Sequence, residues 1–415
     1  MAPDERIRAA REKAYATPLS QFHPGDPHLF QTNTIWPYFE RLRNEEPVHF
    51  CTTSPVGSYW SVTKYSDIMY VDSNATMFSS EVSRGGIMLR DPEPQYKWPS
   101  FITMDEPLHG RQRKSVAPMF TPANLDKLAK SNRERSADVL DKLPRNETFN
   151  FVDLVSVELT TQMLAVLFDF PWEDRRKLTR WSDIATSLPK SGVFESEAER
   201  RAELMECSNY FARLWNERIN ADPKSDLISM MAHNDATRNM DRANLFGNII
   251  LLIVGGSDTT RNSMTGSVLA LYESPNEFKK LRENSALIDS FVPEVIRWQT
   301  PIAHMRRTAV RDTELGGKCI KKGDRVVMWY VSGNRDSEVI ENADSFIIDR
   351  ALPRQHLSFG FGIHRCLGMR LAELQLKIVW DEILKRFNNI EVVGEPKRVY
   401  SNFVRGFETL PVKIN

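Results

Sequence analysis

Cysteine is scarce in this sequence, and its four copies lie far apart. No two of them form a Cys-x-x-Cys pair, so the sequence predicts neither a disulfide framework nor a zinc knuckle. Three of them, Cys51, Cys207 and Cys319, are interpreted as small, partly buried apolar side chains. Cys366 differs, because glycines, aromatic residues, a histidine and an arginine surround it.

An excess of charge of one sign is also missing, as are long apolar runs. Lys plus Arg and Asp plus Glu both total 55, which leaves no global field to attract nucleic acid, an anionic lipid surface or a polyanionic substrate. The longest apolar run, residues 249–254, is far shorter than a membrane span. The charged start of the chain argues against a signal peptide or an N-terminal anchor. We therefore expect a soluble, cytoplasmic protein.

The chain has the composition of a globular protein, with 41% hydrophobic and 27% charged residues. Because no linker, charge block or repeat divides it, residues 1–415 are predicted to form a single domain. Helical periodicity dominates, and strand-like alternation is confined to residues near 45–65, 317–331 and 390–415. The predicted fold class is mainly α with small β-sheets. The aperiodic segment 84–100 is predicted to be a lid-like loop.

Residues 359–368, FGFGIHRCLG, place Cys366 directly before a long segment with an apolar helical stripe. A sulfur at a helix N-terminus meets unpaired N–H groups, which favour a thiolate that can bind a metal. Glycines on both sides leave room for a flat group to approach the backbone. Tight packing at a glycine-rich turn is the alternative, and up to this point both interpretations stay open.

The same ten residues resemble the haem-binding signature of the cytochrome P-450 superfamily, with its Phe, its glycines and its Cys in place. The resemblance implies the P-450 fold, a triangular prism-like helical body whose long helix crosses the haem. It also implies haem b (iron protoporphyrin IX) as the cofactor and Cys366 as the axial thiolate of its iron. Phe359, Gly360 and Gly368 then belong to the loop that holds this ligand.

Glu294 and Arg297 are three positions apart, so they share a helix face and can pair. Most such pairs are solvated and contribute little. This one resembles the buried Glu-x-x-Arg pair of the superfamily, and residues 334–336 and 346–350 resemble the segments that complete its network. All of them are predicted to be structural.

Gly255 and Gly256 lie within a helical pattern that covers about residues 243–272, where each glycine costs about 1 kcal/mol relative to alanine. Alternatively, they end one helix and the polar residues after them cap the next. By resemblance, GGSDT is the oxygen-binding motif of the helix that crosses the haem. Asp258 and Thr259 are then implied to relay protons, the acid recharging the alcohol.

Several basic residues gain a role from the resemblance. Haem propionates need cationic partners, with Arg preferred for forked hydrogen bonds. The implied partners are His109, Arg113, Arg307 and His364. A ferredoxin, itself reduced by a reductase, is expected to dock near Arg111, Lys114 and Arg365. For any one of these residues taken alone, a solvated basic surface is the alternative.

Residues 251–264 and 297–309 resemble the branch that hydroxylates medium-chain n-alkanes and related linear molecules at the terminal carbon, although Ser257 stands where that branch more often has Asn. The substrate residues implied by position are all apolar: Met88, Leu251, Leu252, Ile302, Ala303, Phe403 and Val404. Such a lining equally fits a terpene or a steroid, and core packing is the alternative for each residue.

The sequence therefore predicts a monooxygenase that inserts one atom of O2 into a C–H bond of an apolar substrate. Terminal hydroxylation of medium-chain n-alkanes, fatty acids or similar molecules is the preferred interpretation, and a terpene or steroid hydroxylase is the alternative. A peroxide-using relative is disfavoured, because that branch resembles sequences with Arg-Pro at positions 258 and 259. A non-catalytic haem sensor or carrier would have no use for a proton relay.

Overall fold

Helices carry most of the chain in the computed structural model, which describes residues 3–415. The α-helices are α1 (Pro3–Ala16), α2 (Pro27–Gln31), α3 (Trp36–Glu45), α4 (Tyr65–Ser73), α5 (Leu108–Val116), α6 (Pro122–Asp141), α7 (Glu158–Phe168), α8 (Arg176–Thr186), α9 (Glu197–Ile219), α10 (Leu227–Ala232), α11 (Arg242–Glu273), α12 (Pro275–Glu283), α13 (Ile288–Gln299), α14 (Tyr330–Gly333) and α15 (Met369–Arg386). Within residues 3–415, no helix combines the length and apolar character needed to cross a bilayer.

The strands are short and form small sheets. They are β1 (Val48–Cys51), β2 (Tyr59–Val62), β3 (Phe78–Ser79), β4 (Thr148–Asn150), β5 (Met305–Ala309), β6 (Thr313–Leu315), β7 (Lys318–Ile320), β8 (Arg325–Met328), β9 (Ile390–Val392), β10 (Lys397–Arg398), β11 (Phe407–Thr409) and β12 (Pro411–Ile414). The predicted mainly α class with small sheets is confirmed. The interpretation of the chain as one domain stays a prediction.

The largest sheet has the strand order β1-β2-β8-β5-β3. Its β1–β2 hairpin, with Val48 opposite Val62, is the one predicted near residues 45–65. The β2–β8 pair is parallel and the remaining pairs are antiparallel. The C-terminal segment supplies β9 and β12 to a second sheet of order β4-β12-β9 and contains the β10–β11 pair. Strands β3 to β6 lie outside the predicted β regions.

Helix α11 is the longest helix among the described residues and runs through both glycines without a break. Asp241 caps its start, accepting a hydrogen bond from the backbone N–H of Asn244 at 2.8 Å. The alternative that Gly255 and Gly256 end a helix is therefore wrong. The C-terminal half of α11 is almost entirely buried, which offsets the conformational cost of the glycines.

Glu294 and Arg297 on α13 form a fully buried ion pair, each with 0% of its surface exposed. Arg297 donates from Nε and Nη2 to the two carboxylate oxygens at 2.7 and 2.8 Å. Its Nη1 donates to the carbonyls of Asn334 and Ala343 at 2.7 and 2.8 Å. Arg350 donates to the same carboxylate at 2.9 Å. Because every charge has partners, the pair is compatible with the interior.

A second set of hydrogen bonds carries this network to the segment before Cys366. Asn334 Oδ1 accepts from the backbone N–H of Leu357 at 2.6 Å, and its Nδ2 donates to the Ser358 hydroxyl at 2.9 Å. Ser358 in turn donates to the Ile296 carbonyl on α13 at 2.8 Å. The loop that leads to the cysteine is thus fastened to α13.

Replacing Glu294 with Gln should lower the free energy of unfolding by about 3 kcal/mol or more, because Arg297 and Arg350 would keep buried charges without a counter-charge. Chemical denaturation measures this. The control is Lys142→Ala, which breaks an exposed pair with Asp138 (side chains 73% and 58% exposed) and should cost less than about 0.5 kcal/mol. Similar losses in the two variants would contradict the prediction.

Candidate active site

A cavity of about 440 Å³ lies between the middle of α11 and the loop that contains Cys366. Its other walls come from the segment 82–103, the C-terminal end of α8, the N-terminal end of α9 and the residues that precede β5. The predicted lid segment therefore does line the cavity. Most of the lining side chains are apolar, which suits an apolar ligand.

Cys366 lines this cavity three residues before α15 begins, and its backbone N–H donates to the Phe359 carbonyl at 2.8 Å. Burial raises the pKa of its thiol, and this outweighs the lowering by the backbone N–H groups of Gly368 and Met369 and by the nearby Arg113 guanidinium. The backbone N–H groups expected to favour the thiolate are thus present, but in the free thiol burial outweighs them. A coordinated metal would reverse this, since a coordinating thiol is deprotonated.

The backbone around Cys366 depends on glycine at two positions. Gly360 and Gly362 have φ values of +65° and +64°, a left-handed conformation that side chains disfavour. A Cβ at Gly362 would also lie 2.6 Å from the Asp72 carbonyl of α4. The loop can therefore pack tightly on α4, and Phe359 and Gly368 beside it line the cavity.

The two adjacent glycines of α11, Gly255 and Gly256, have different surroundings. A Cβ built at Gly255 meets nothing within 4 Å, so this face of the helix is open toward the cavity. A Cβ at Gly256 would lie 2.7 Å from Leu164 Cδ2, so this glycine lets α7 pack closely. Both glycines line the cavity, and at Gly255 the helix surface is open.

Arg113 and Arg307 bring two guanidinium groups to the cavity. Arg113 donates to the Arg365 carbonyl at 2.6 Å, which ties α5 to the cysteine loop. Arg307 forms a buried ion pair with Asp72 at 2.7 Å. Sequence reasoning missed Asp72, whose carboxylate also accepts from the Tyr330 hydroxyl at 2.8 Å. An Asp near the end of a short amphipathic helix gave no signal that it would be buried.

His364 lies beside these arginines, and its Nε2 contacts the Ser80 hydroxyl at 2.9 Å. Its Nδ1 is buried and has no partner among residues 3–415. Burial, followed by the charges of Arg307 and His109, lowers the pKa of this histidine to about 2. The ring is therefore neutral, and its Nδ1 is left without a hydrogen-bond partner in a residue that lines the cavity.

His109 also lines the cavity, but its nitrogens are engaged. Nδ1 lies 2.6 Å from the Phe101 carbonyl and Nε2 lies 2.9 Å from the Ile363 carbonyl. Both nitrogens thus face carbonyl oxygens, and the role of His109 as a partner of a propionate stays a prediction. The imidazole instead links α5 to the lid segment and to the cysteine loop.

These residues fit a haem with a thiolate ligand. The Cys366 sulfur is accessible from the cavity, and the face of α11 at Gly255 is open to a flat ring. Two arginines and the unpartnered Nδ1 of His364 supply the polar atoms that the carboxylate edge of a haem requires.

Thr259 lines the cavity, whereas the Asp258 side chain does not. The Thr259 hydroxyl donates to the Gly255 carbonyl at 2.9 Å, one turn earlier on α11. Thr260 is nine-tenths buried and also lines the cavity, so the opening spans more than one helix position. The predicted acid and alcohol are therefore neighbours in sequence that face different surroundings.

Asp258 is fully buried against α8. Its carboxylate accepts hydrogen bonds from Ser182 at 3.0 Å and Thr186 at 3.1 Å, and it pairs with Arg261 at 3.0 Å. Arg261 also contacts Asp183. Burial raises the pKa of Asp258 against the opposing effect of Arg261. The structure thus couples this acid to α8 and not to Thr259.

Five of the seven predicted substrate residues line the cavity: Met88, Leu251, Leu252, Ile302 and Phe403. Two do not, and the prediction is wrong for them. Ala303 is fully buried in the core beside the large sheet, because consecutive residues of an extended segment point to opposite sides. Val404 bridges to Ile302 and packs behind it and Phe403.

Other lining residues were missed although the sequence carried a signal for them. On α11 the missed residues include Gly247, Ile250 and Val254, which line the cavity together with the predicted Leu251, Gly255 and Thr259. Their spacing is that of one helical face. The lining residues of α8, α9 and the lid, among them Tyr96, Trp98, Leu188 and Arg200, had no such signal, because loop and helix packing brings them there.

His304 fastens the lid segment to the sheet and to the C-terminal hairpin. Its Nε2 accepts from the backbone N–H of Leu89 at 3.1 Å, so Nδ1 is the protonated nitrogen and donates to the Asn402 carbonyl at 2.9 Å. The ring packs on Trp329 and Phe403. Burial lowers the pKa of His304 to about 4, so the ring is neutral.

Comparison with known proteins agrees with this geometry. The family model for cytochrome P-450 matches residues 156–414. Two solved structures are similar over 94% of this chain with TM-scores of 0.88. They are the 153-type cytochrome P-450 of Novosphingobium aromaticivorans (45% identity, 99% of that chain) and CYP153D17 of Sphingomonas sp. PAMC 26605 (48% identity, 98% of that chain).

Curated relatives extend the comparison to named activities. Linalool 8-monooxygenase of Pseudomonas putida is 32% identical over 93% of this chain and 97% of its own length. A methyl-branched lipid omega-hydroxylase of Mycobacterium bovis is 30% identical over 90% of each protein.

Fold, cysteine loop and cavity together define a haem-binding oxidoreductase. The chain belongs to the cytochrome P-450 family, whose members bind haem b, and it is a monooxygenase.

Acid should destabilise this protein through His304. In the unfolded state His304 takes up a proton near pH 6.5, whereas in the folded state it does so only near pH 4. The contribution of the neutral ring to the free energy of unfolding is therefore complete above about pH 6.5 and is lost as the pH falls toward 4. The loss from this group is about 3 kcal/mol. Denaturation of His304→Gln at several pH values should show a flatter profile than the parent.

The matched control is His28→Gln, because His28 is exposed on a short helix. Its unfolding should follow the pH profile of the parent. If the free energy of unfolding of His304→Gln depended on pH as steeply as that of the parent, His304 would not be the cause of the acid destabilisation.

Proposed function

We propose that this monooxygenase hydroxylates medium-chain linear molecules, such as n-alkanes or fatty acids, at the terminal carbon. The observation that carries the proposal is one apolar cavity that extends from the lid to Cys366 and Thr259. Similarity to two 153-type structures and to a relative named as an omega-hydroxylase supports it. The resemblance of residues 251–264 and 297–309 to the alkane-hydroxylating branch points the same way.

Residues of the cysteine loop would hold the cofactor. Cys366 is proposed as the axial ligand, and Arg113, Arg307 and His364 as the partners of the propionates, with Asp72 fixing Arg307 through their ion pair. When bound, haem supplies the activation of O2 and the oxidation of the C–H bond. The protein supplies position, exclusion of water and protons.

Thr259 is proposed to hold and pass the proton from its Oγ1. Its hydrogen bond to the Gly255 carbonyl keeps the hydroxyl on the open face of α11. A hydroxyl placed there can donate a proton and regain one from a neighbouring acid. Asp258 can reach Thr259 only when its hydrogen bonds to Ser182 and Thr186 are released, and we propose that it then returns the proton.

Electrons are proposed to arrive from a ferredoxin at the surface behind Cys366. Arg111, Lys114 and Arg365 are exposed there, and Arg113 bonds to the Arg365 carbonyl beneath them. A small acidic carrier would find complementary charge at this place.

A terpene substrate is the second candidate, favoured by the relative named linalool 8-monooxygenase. The two candidates differ in the product that they predict.

Purified holoenzyme supplied with electrons should convert linear alkanes and fatty acids mainly to terminal alcohols, identified by gas chromatography and mass spectrometry. Faster turnover of terpenes, or hydroxylation of linear chains mainly at internal carbons, would contradict the proposal.

Replacing Thr259 with Ala should preserve haem binding but lower the product formed per electron consumed by at least about 10-fold, because the proton donor at the open face is lost. The amount of peroxide formed per electron consumed measures the fraction of electrons that does not lead to product. The control is Thr259→Ser, which keeps the hydroxyl and should retain most of the yield. Equal yields in Thr259→Ala and the parent would exclude Thr259 from proton delivery.

A further inference from the structure

Arg200, on the first turn of α9, places a cation on the wall of the mostly apolar cavity. Its side chain is only 17% exposed. The wall around it consists of the lid segment and the ends of α8 and α9, whereas Cys366 and Thr259 belong to the opposite elements, the cysteine loop and the middle of α11. A cavity with a cation on one wall and Thr259 on another suits a molecule with two unlike ends.

The hydrogen-bonding capacity of Arg200 is largely unused. Its Nε is buried and has no partner among residues 3–415. Its nearest carboxylate is Glu197, 3.7 Å away and half exposed, and its Nη2 reaches the Ala185 carbonyl only at 3.5 Å. Guanidinium groups bind carboxylates through two parallel hydrogen bonds, and the two long contacts leave the edge formed by Nη1 and Nη2 available for such a pair.

Aromatic rings hold the guanidinium in place. The Arg200 carbon Cζ lies 4.8 Å from the Tyr96 ring centre and 5.5 Å from that of Phe194. Such rings favour a cation and exclude water from it, which strengthens a charge-assisted hydrogen bond.

Other charges around the cavity are already used. Arg307 is paired with Asp72, and Arg113 is bonded at the cysteine loop. Arg90 is half exposed and lies 3.6 Å from Glu93. On α9 itself, the neighbouring Glu199 and Glu203 bind Arg180 and not Arg200.

We propose that Arg200 binds the carboxylate of a fatty acid and so selects acids over uncharged alkanes. This deepens the proposed function and rests on it. The carboxylate replaces Glu197 beside the guanidinium, and the alkyl chain lies along the apolar lining. The methyl end is then the part of the substrate left free to reach the open face of α11 at Gly255 and Thr259.

Binding of dodecanoic acid, methyl dodecanoate and dodecane to the holoenzyme tests this, followed by the change in haem absorption and by calorimetry. Arg200→Gln should weaken binding of the acid by about 10-fold to 100-fold and leave the ester and the alkane within about twofold. Arg200→Lys, which keeps the charge but loses the fork, should fall between the parent and Arg200→Gln.

Arg213→Gln is the matched control. Arg213 lies on the same helix with Cζ 4.5 Å from the Tyr210 ring centre, but its side chain is 60% exposed and outside the cavity. This variant should bind all three ligands like the parent.

If Arg200→Gln weakened binding of the acid and of the ester equally, or left binding of the acid unchanged, Arg200 would not be the group that binds the carboxylate. If the ester and alkane still yield terminal alcohols in that case, the proposed function stands without this role of Arg200. If none of the three ligands binds the parent while a terpene does, the proposed function itself fails.

Discussion

The buried pair of Glu294 and Arg297 is the interaction on which the catalytic architecture depends. Its two charges are stable in the interior only because carbonyls and Arg350 surround them. Through Asn334 the same network fixes the backbone at Leu357, shortly before the cysteine loop. The segment that leads to Cys366 is therefore held by polar bonds that would be costly to break, and not by loop packing alone.

Helix α11 separates two tasks around its circumference. The face at Gly255 and Thr259 is open and borders the cavity, while Asp258 is enclosed by α8 and Gly256 by α7. A single continuous helix thus presents a reactive surface and two packing surfaces within one and a half turns. Full burial on its remaining sides is what stabilises a helix with two adjacent glycines.

Sequence reasoning succeeded where chemistry is local and failed where it depends on tertiary contacts. The cysteine loop and α11 carry their signals in consecutive residues, so both could be located. The thiol pKa could not, since burial and the helix terminus act in opposite directions and only the structure gives their balance. Packing between distant segments brings Asp72 to Arg307 and Arg200 to the cavity, and an alternating backbone turned Ala303 away from the cavity.

The segment before β5 shows how such an enzyme can change its substrate range without losing its fold. Ile302 forms part of the cavity wall, and the adjacent Ala303 is enclosed in the core of the large sheet. Substitutions of Ile302 would change the shape of the cavity, whereas substitutions of Ala303 would disturb the packing of the core. Selection for new ligands and selection for folding can therefore act on neighbouring codons almost independently.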